Sequence, residues 1–335
     1  MIFVFLWTLL AVPSVILLKY NPKGAVPMMK RIFALLLTLF FLLPASSLAD
    51  TPKPIEITPY EEISPNWDGQ HHYLLLCTDS WKANPKNLGN TDGIVLVTLD
   101  TRAHRVMLTS IIRDALVQRP DGVIGRINYI AKNYGPEALC KVISQHLNVK
   151  VEDYILFDFG QIARIIDHLG GVDIEVDASE ASYLRRYPLD NHQTTPPMGH
   201  AGTYKFYGRA AVIYMRIRKA GGGGDFMRTQ RVRTVLSTLA DQCREISYEQ
   251  AKSLLDVITE NTLLTNMNAE QLVTAMDQAF SLRDCTIEEL RIPQDDAVHP
   301  INYANMSAQE LDWAMCREDF HEYLTSSWLV MDEEE

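Results

Sequence analysis

Basic side chains are concentrated in one short stretch of the chain, between residues 205 and 233. This stretch contains eight basic residues and a single acid, Asp225, although the formal net charge of the whole chain is −11. The basic residues are Lys205, Arg209, Arg216, Arg218, Lys219, Arg228, Arg231 and Arg233. Because the planar fork of arginine binds phosphate oxygens bidentately, the stretch could form a site for a polyanion. The alternative is a solvated basic face whose charges pair with acids elsewhere in the fold.

The elements predicted around this stretch would bring its arginines together. A strand is predicted over residues 211–217 and a helix over residues 225–243, and the four glycines at 221–224 turn the chain between them. The strand and helix repeats each place two arginines on one face. These pairs are Arg216 with Arg218, and Arg228 with Arg231. The end of a strand, a glycine turn and the start of a helix, all carrying arginine, would form an anion site.

Two aspartates flank predicted strands nearer the amino terminus. Asp79 follows the apolar run 73–78 and Asp92 precedes the run 94–99. Carboxylates at strand ends can share Mg²⁺, which prefers one or two carboxylates together with water and phosphate oxygens. The alternative is that both residues form turns, which is the commoner use of aspartate in loops. An ionic pair, Arg113–Asp114, follows the third apolar run.

Apolar runs alternate with helical segments along the chain. Strands are predicted over 73–78, 94–99, 105–111, 154–159, 172–176 and 211–217, and helices over 136–147, 161–169 and 225–243. The strand runs are continuously apolar, which is typical of strands that are buried on both faces. This order of elements predicts an α/β layer fold with a mixed central sheet flanked by helices.

The first 49 residues form a leader that contains four basic residues and no acid. An apolar run at 32–43 follows Lys30-Arg31 and precedes small residues up to Ala49, a pattern typical of a secretory signal. An additional apolar run at 1–18 leaves two interpretations open. Either translation begins at Met28 or Met29, or the first run is a membrane anchor. Both interpretations predict an extracytoplasmic protein.

The exported part divides by composition into three segments. Residues 50–70 are rich in proline and polar residues and are predicted to be a linker from the membrane to the fold. Residues 71–245 contain the alternating strands and helices and would form the catalytic core. Residues 246–335 are predicted to be mainly helical, with a short strand near 290–293, and to pack on the core as part of the same domain.

The composition and the absence of several motifs exclude other classes of protein. Acidic residues outnumber basic ones by 42 to 31, so binding to nucleic acid is not expected. The sequence has no Walker A, complete G-x-G-x-x-G, H-E-x-x-H or G-x-S-x-G motif, which removes support for Rossmann-type nucleotide binding, zinc proteolysis and acyl-serine chemistry. Five dispersed cysteines without a C-x-x-C pair do not indicate a zinc ribbon, although Cys243, Cys285 and Cys316 leave one disulfide open.

Taken together and in this order, the motifs resemble those of the LytR–CpsA–Psr family of cell-wall glycopolymer ligases. The matching segments are LLLCTDS (74–80), NTDGIVLVTLD (90–100), LTSIIRD (108–114), GRINYIAKNYGPEAL (125–139), DYILFDFGQIARIIDHLGGVDIEV (153–176) and YMRIRKAGGGGDFMRTQRVR (214–233). The resemblance implies a membrane-tethered protein that faces the outside, with helices on both sides of a central sheet. It also implies transfer of a glycopolymer from a polyprenyl-pyrophosphate carrier onto peptidoglycan at the membrane surface.

The resemblance assigns roles to individual residues of this chain. Asp79 and Asp92 would be ligands of Mg²⁺, and Asp92 or Asp114 could act as a weak base toward the acceptor hydroxyl. For Asp114, orienting Arg113 is favoured over acting as a base. The arginines that would contact pyrophosphate are Arg113, Arg126, Arg216, Arg218, Arg228 and Arg231.

Four segments depart from the family pattern. An arginine is usual soon after the first aspartate, whereas Trp81 follows Ser80 here, and Arg-Ser-Asp is usual where this chain has Asn90-Thr91-Asp92. Ile112 replaces a proline and Val232 replaces a glutamine. These losses leave open a non-catalytic module that binds polyprenyl phosphates. A polyprenyl pyrophosphatase, which would transfer the same bond to water, is a second alternative to the transferase.

Overall fold

The computed structural model describes residues 51–185, 200–220 and 224–326. The chain from Asp50 onward is one compact unit. The predicted leader, residues 1–49, lies outside the described residues. Within the described ranges, none of the helices combines the length and the apolar character needed to cross a membrane.

A mixed six-stranded sheet forms the centre of the fold. Its strands are β1 (Gln70–Thr78), β2 (Thr91–Asp100), β3 (Arg105–Ile111), β6 (Asp153–Phe157), β9 (Leu264–Thr265) and β10 (Thr286–Ile292), in the spatial order β10-β3-β2-β1-β6-β9. β1, β2 and β3 pair antiparallel, whereas β6 runs parallel to β1 and β10 runs parallel to β3. The predicted mixed sheet is therefore confirmed.

Helices cover both faces of this sheet. In the described part of the chain they are α1 (Ile130–Tyr134), α2 (Pro136–Leu147), α3 (Phe159–His168), α4 (Ala178–Leu184), α5 (Gly208–Met215), α6 (Gly224–Gln242), α7 (Tyr248–Glu260), α8 (Ala269–Ser281) and α9 (Trp313–Thr325). The larger apolar core joins the sheet to α2 and α9, and a second core joins α3, α5 and part of α6. Leu74 and Leu76 of β1 lie in the first core and Cys77 packs against the second, which explains the continuous apolar run.

Three two-stranded antiparallel sheets complete the fold. They are β4 (Leu116–Gln118) with β5 (Ile124–Arg126), β7 (Val172–Val176) with β8 (Gly202–Phe206), and β11 (Val298–Tyr303) with β12 (Met306–Leu311). The carboxyl-terminal part therefore contributes more strand than its sequence indicates, since it supplies β10 to the central sheet as well as the last hairpin.

The strand predicted over residues 211–217 is wrong. Residues 211–215 form the second half of α5, and Arg216 and Arg218 follow this helix outside any strand. A short run that is apolar on every side suits a buried helix as well as a strand, and Ala211, Val212 and Tyr214 are all buried. The disulfide left open by the sequence does not form, because all five cysteines are free thiols.

The proline-rich segment 51–69, predicted as a linker, lies along the fold. Ile55 and Trp67 pack against the larger core. The backbone N–H of Thr58 donates to the carbonyl oxygen of Gln145 in α2, at 3.1 Å. These contacts make the segment part of the folded unit.

Two buried histidines make the stability of the fold dependent on pH. Burial lowers the pKa of both His72 and His146 to about 4. The unfolded chain binds protons at these residues from about pH 6.5 downward, so the free energy of unfolding should fall as the pH drops from 6.5 toward 4. Urea unfolding at pH 7.5, 6 and 5 measures this slope, and His72→Gln should flatten it. A profile that stays flat over this range would contradict the prediction.

Candidate functional site

Six charged residues line one cavity where the first three strands end or begin. Asp79 follows β1, Asp92 is the second residue of β2, and Arg113 follows β3 by two residues. Arg216 and Arg218 come from the segment after α5, and Arg228 comes from the first turns of α6. The cavity has a volume of about 260 Å³. The fold thus brings residues that are far apart in sequence to one cavity.

Two carboxylates lie between three of the arginines. Asp92 accepts a hydrogen bond from Nη1 of Arg113 through Oδ1, and its Oδ2 lies 3.4 Å from Nη1 of Arg228. Asp225 accepts from Nη2 of Arg228 at 3.1 Å. The other oxygen of Asp225 lies 3.5 Å from Nε of Arg113 and 3.8 Å from Nε of Arg218. Asp92 and Asp225 each contact at least two arginines, so none of the three arginines has a carboxylate to itself.

The pairing leaves donors of the buried arginines unused. Arg228 is 4% exposed, and burial lowers its pKa against the opposing effect of Asp225 and Asp92. Burial also opposes the charge of Arg113, but Asp92, Asp114 and Asp225 raise its pKa overall. The buried Nε–H groups of Arg113 and Arg228 have no hydrogen-bond acceptor within the described residues. Both residues line the cavity, so an oxyanion bound there would meet guanidinium groups whose hydrogen bonding is incomplete.

Arg216 and Arg218 are the more exposed cations of the cavity. Arg216 stacks on the ring of Phe159, with its guanidinium carbon 4.3 Å from the ring centroid. Among the described residues it has no carboxylate partner. Arg218 has 44% of its side chain exposed and only the distant contact with Asp225. Both side chains can therefore reorient toward a ligand.

Asp79 is the exposed carboxylate of the cavity, and Gly89 shapes its surroundings. A Cβ at position 89 would lie 2.1 Å from Oδ1 of Asp79. Within the described residues the Asp79 carboxylate forms no ion pair, whereas both oxygens of Asp92 contact arginine. No group of three or more His, Cys, Asp or Glu side chains in the described ranges is placed to hold a metal ion. Two carboxylates facing one cavity fit a cation that takes its remaining ligands from water and phosphate.

Asp114 and Arg126 lie beside the cavity rather than in its lining. Asp114 is 3.0 Å from Nη1 of Arg126 and 3.6 Å from Nε of Arg113. Arg126 also donates to the hydroxyl of Tyr129 and contacts the sulfur of Met306 at 3.3 Å. This arrangement lets Asp114 orient Arg113, and it attaches Arg126 to the β11–β12 hairpin.

Arg231, predicted to contact pyrophosphate, is not brought to the cavity. It is 1% exposed, and its Nε donates to Glu180 at 2.6 Å. Its two terminal nitrogens donate to the carbonyl oxygens of Ile217 and Ala220 at 2.9 and 3.1 Å. Arg231 therefore anchors the segment that carries Arg218.

An apolar cavity of about 70 Å³ adjoins the charged one. Asp92, Arg216 and Arg228 line both cavities. The apolar lining comes from the sheet, from α3 and from α6, and includes Ile94, Ile162 and Val232. An apolar space thus lies directly beside the charged one, with a volume below the roughly 300 Å³ of a small ligand pocket.

A profile of the LytR_cpsA_psr family matches residues 45–317, which is most of the chain. The chain belongs to the LytR_cpsA_psr family. The match includes every residue that lines the charged cavity.

Two curated proteins of similar sequence are named as transferases. The chain is 27% identical over 164 residues to the polyisoprenyl-teichoic acid–peptidoglycan teichoic acid transferase TagV of Bacillus subtilis, covering 48% of this chain and 40% of TagV. It is 24% identical over 234 residues to the transferase TagU of Oceanobacillus iheyensis, covering 68% of this chain and 69% of TagU. The matched part thus spans less than half the length of TagV.

The fold is also that of a solved structure of TagT bound to LI-WTA. The two structures superpose with a TM-score of 0.62 over 81% of this chain and 96% of the other, at 19% sequence identity. At this identity the likeness establishes the fold, which is an α/β fold of the LytR_cpsA_psr type with a mixed central sheet.

The structure gives one departure from the LytR_cpsA_psr pattern a definite environment. Trp81 lies edge-to-face against Phe159, with ring centroids 5.7 Å apart. The guanidinium carbon of Arg209 lies 4.7 Å from the Trp81 centroid. An aromatic side chain at position 81 thus holds a basic residue from another element.

Sequence reasoning assigned no role to Phe159, Glu180 or Asp225, although each fixes an arginine in or near the cavity. A signal existed for Asp225, which precedes Arg228 by three residues on one helix. No comparable signal existed for Glu180, because its partner Arg231 is 51 residues away.

Proposed function

We propose that this protein is an extracytoplasmic phosphotransferase that moves a glycopolymer from a polyprenyl-pyrophosphate carrier onto peptidoglycan. The observation that carries the proposal is the charged cavity, in which two buried arginine Nε–H groups lack acceptors beside an apolar cavity. The names of TagV and TagU, which specify transfer of teichoic acid to peptidoglycan, support the same reaction class. The predicted leader supports export and a position at the membrane surface.

The arginines would bind the pyrophosphate and stabilise the charge that develops on it. A sugar hydroxyl of the acceptor attacks the phosphorus next to the sugar, and polyprenyl phosphate leaves. Arg113 and Arg228 present fixed donors to the non-bridging oxygens, while Arg216 and Arg218 can close over the outer phosphate. Asp114 would hold Arg113 in place, and Asp92 or Asp114 would accept the proton of the acceptor hydroxyl.

Asp79 and Asp92 would hold Mg²⁺, which supplies additional charge neutralisation on the phosphate oxygens when it is bound. The donor set supports this role, because carboxylate oxygens are hard ligands and the Asp79 carboxylate forms no ion pair with any described residue.

Substituting Gly89 should weaken the cation site without unfolding the protein. In Gly89→Ala the new methyl group would occupy the position of Oδ1 of Asp79, so this carboxylate must rotate away. Affinity for Mg²⁺ in the presence of pyrophosphate should fall about tenfold, in the range for residues that orient a metal ligand. Isothermal titration measures the affinity, and Asp79→Asn is the positive control. Unchanged affinity in both variants would remove Asp79 from the cation site.

Inorganic pyrophosphate should stabilise the fold against heat. Its oxygens would replace some of the repulsion among converging guanidinium groups with attraction, so the melting temperature should rise with ligand and the rise should shrink in high salt. Arg218→Lys should weaken the effect although it keeps the charge, because lysine lacks the forked geometry. Differential scanning fluorimetry tests both, and an equal shift in wild type and variant would contradict the bidentate contact.

The decisive experiment compares transfer with hydrolysis. A polyprenyl-pyrophosphate-linked glycan with a fluorescent sugar is incubated with Mg²⁺, with and without peptidoglycan. Label that becomes attached to peptidoglycan supports the transferase. Release of soluble sugar phosphate in both samples would indicate a pyrophosphatase, and tight binding without turnover would indicate a binding module.

A further inference from the structure

Arg209 lies in the first turn of α5 and Arg216 directly follows the last residue of this helix, and each stacks on one ring of an aromatic pair. Arg209 lies over Trp81 at 4.7 Å and Arg216 lies over Phe159 at 4.3 Å, measured from the guanidinium carbon to the ring centroid. The two rings contact each other edge-to-face. Arg216 lines the charged cavity, so the aromatic pair extends from this cavity to Arg209.

The spacing of the two arginines is set by the helix. They are seven residues apart, which is close to two helical turns, so they project from the same side and are separated by about 10 Å along the axis. The aromatic pair is fixed in turn, because the backbone N–H of Phe159 donates to the carbonyl oxygen of Ser80 at 2.8 Å. The backbone positions of Arg209 and Arg216 are therefore fixed relative to each other.

The Arg209 guanidinium is available to a ligand. Its residue is exposed, and within the described chain it has no carboxylate partner, whereas its neighbour Lys205 pairs with Asp173 at 3.1 Å. A guanidinium that stacks through its face keeps the N–H groups of its edge free, and these suit a planar or tetrahedral oxyanion. Stacking on tryptophan also reduces the conformational freedom that an exposed arginine would lose on binding.

We propose that Arg209 and Trp81 form an outer anion subsite, about 10 Å from Arg216, which binds a phosphate or carboxylate of the glycopolymer while its pyrophosphate occupies the charged cavity. This inference rests on the proposed function and adds to it two residues outside the charged cavity that contact the glycopolymer. The subsite would favour anionic donors over neutral ones of equal length.

The test measures the affinity of three detergent-solubilised probes for wild type and for Arg209→Ala. The probes are polyprenyl pyrophosphate alone, the same carrier with a neutral disaccharide, and the same disaccharide extended by glycerol phosphate units or by a uronic acid. Arg209→Ala should weaken only the anionic probes, by about fivefold, as expected for one exposed ion pair, and the difference should vanish in high salt. Arg209→Lys should lie between the two.

Arg244→Ala serves as the control, because Arg244 is also basic and partly exposed but follows the far end of α6 and pairs with Asp241. Equal affinity of Arg209→Ala and wild type for the anionic probes would overturn the subsite. An equal loss for all three probes would also overturn it, since that result indicates a purely structural role. Failure of wild type to bind any probe would instead overturn the proposed function, and the subsite with it.

Discussion

Replacing Glu180 with glutamine should destabilise the fold by about 3–5 kcal/mol, the usual cost of removing one partner from a buried ion pair. Arg231 is 1% exposed and Glu180 is its carboxylate partner, so the substitution leaves a buried guanidinium without a counter-charge. Glutamine keeps the size of the side chain and an oxygen that can still accept from the backbone N–H of Asp177. The N-terminal cap of α4 is thereby retained, so the decrease in the free energy of unfolding measures the effect of removing the negative charge. Urea unfolding at neutral pH measures it.

Two further variants make this result specific. Glu249→Gln removes a carboxylate from an exposed pair with Lys252 and should change the free energy of unfolding by less than about 0.5 kcal/mol. The double variant Glu180→Gln, Arg231→Met should recover part of the stability, because an uncharged side chain no longer needs a buried partner. A double variant as unstable as Glu180→Gln would show that the loss arises from packing instead.

Asp92→Asn should reduce transfer, measured as kcat/KM with a carrier-linked donor, by about 10²–10³-fold, the typical effect of removing one electrostatic element from an active site. The carboxylate lies between Arg113 and Arg228 and faces the cavity with Asp79. The amide is isosteric but neutral, so it neither orients two cations nor binds Mg²⁺ strongly.

Asp114→Asn provides the comparison for Asp92→Asn. Asp114 contacts Arg113 from outside the cavity, so its loss should slow transfer less than the loss of Asp92. Melting temperatures of both variants separate a catalytic effect from a loss of fold. A change of less than twofold in kcat/KM for Asp92→Asn would exclude Asp92 from the reaction.

The elements that the sequence predicts well are those with strong local signals. The strand over 105–111 and the helix over 136–147 have the predicted bounds, because the first is a buried apolar run and the second begins at a proline. The strand predicted over 211–217 is wrong, since burial on all sides removes the periodicity that distinguishes a helix from a strand.

The candidate site shows the same division between local and distant information. The motifs identify the charged candidates, and the structure places four of them, Asp79, Asp92, Arg113 and Arg228, around one cavity. The ion-pair partner of each arginine could not be predicted from the sequence motifs. Arg228 and Arg231 are alike in type and lie one helical turn apart, yet one lines the cavity and the other is bound to Glu180. This difference depends on α4, which is remote in sequence.

The sharing of Asp92 and Asp225 among three arginines has a consequence for turnover. In the proposed reaction, an incoming pyrophosphate would exchange with carboxylates that already contact the guanidinium groups, so binding would replace one set of contacts with another. After the proposed transfer, the same carboxylates would pair with the arginines again as polyprenyl phosphate departs. This competition lowers the affinity of the site for the product, which favours product release. The carboxylates of Asp92 and Asp225 would thus alternate with the phosphate ligand as partners of the arginines, which leaves the site ready for another substrate molecule.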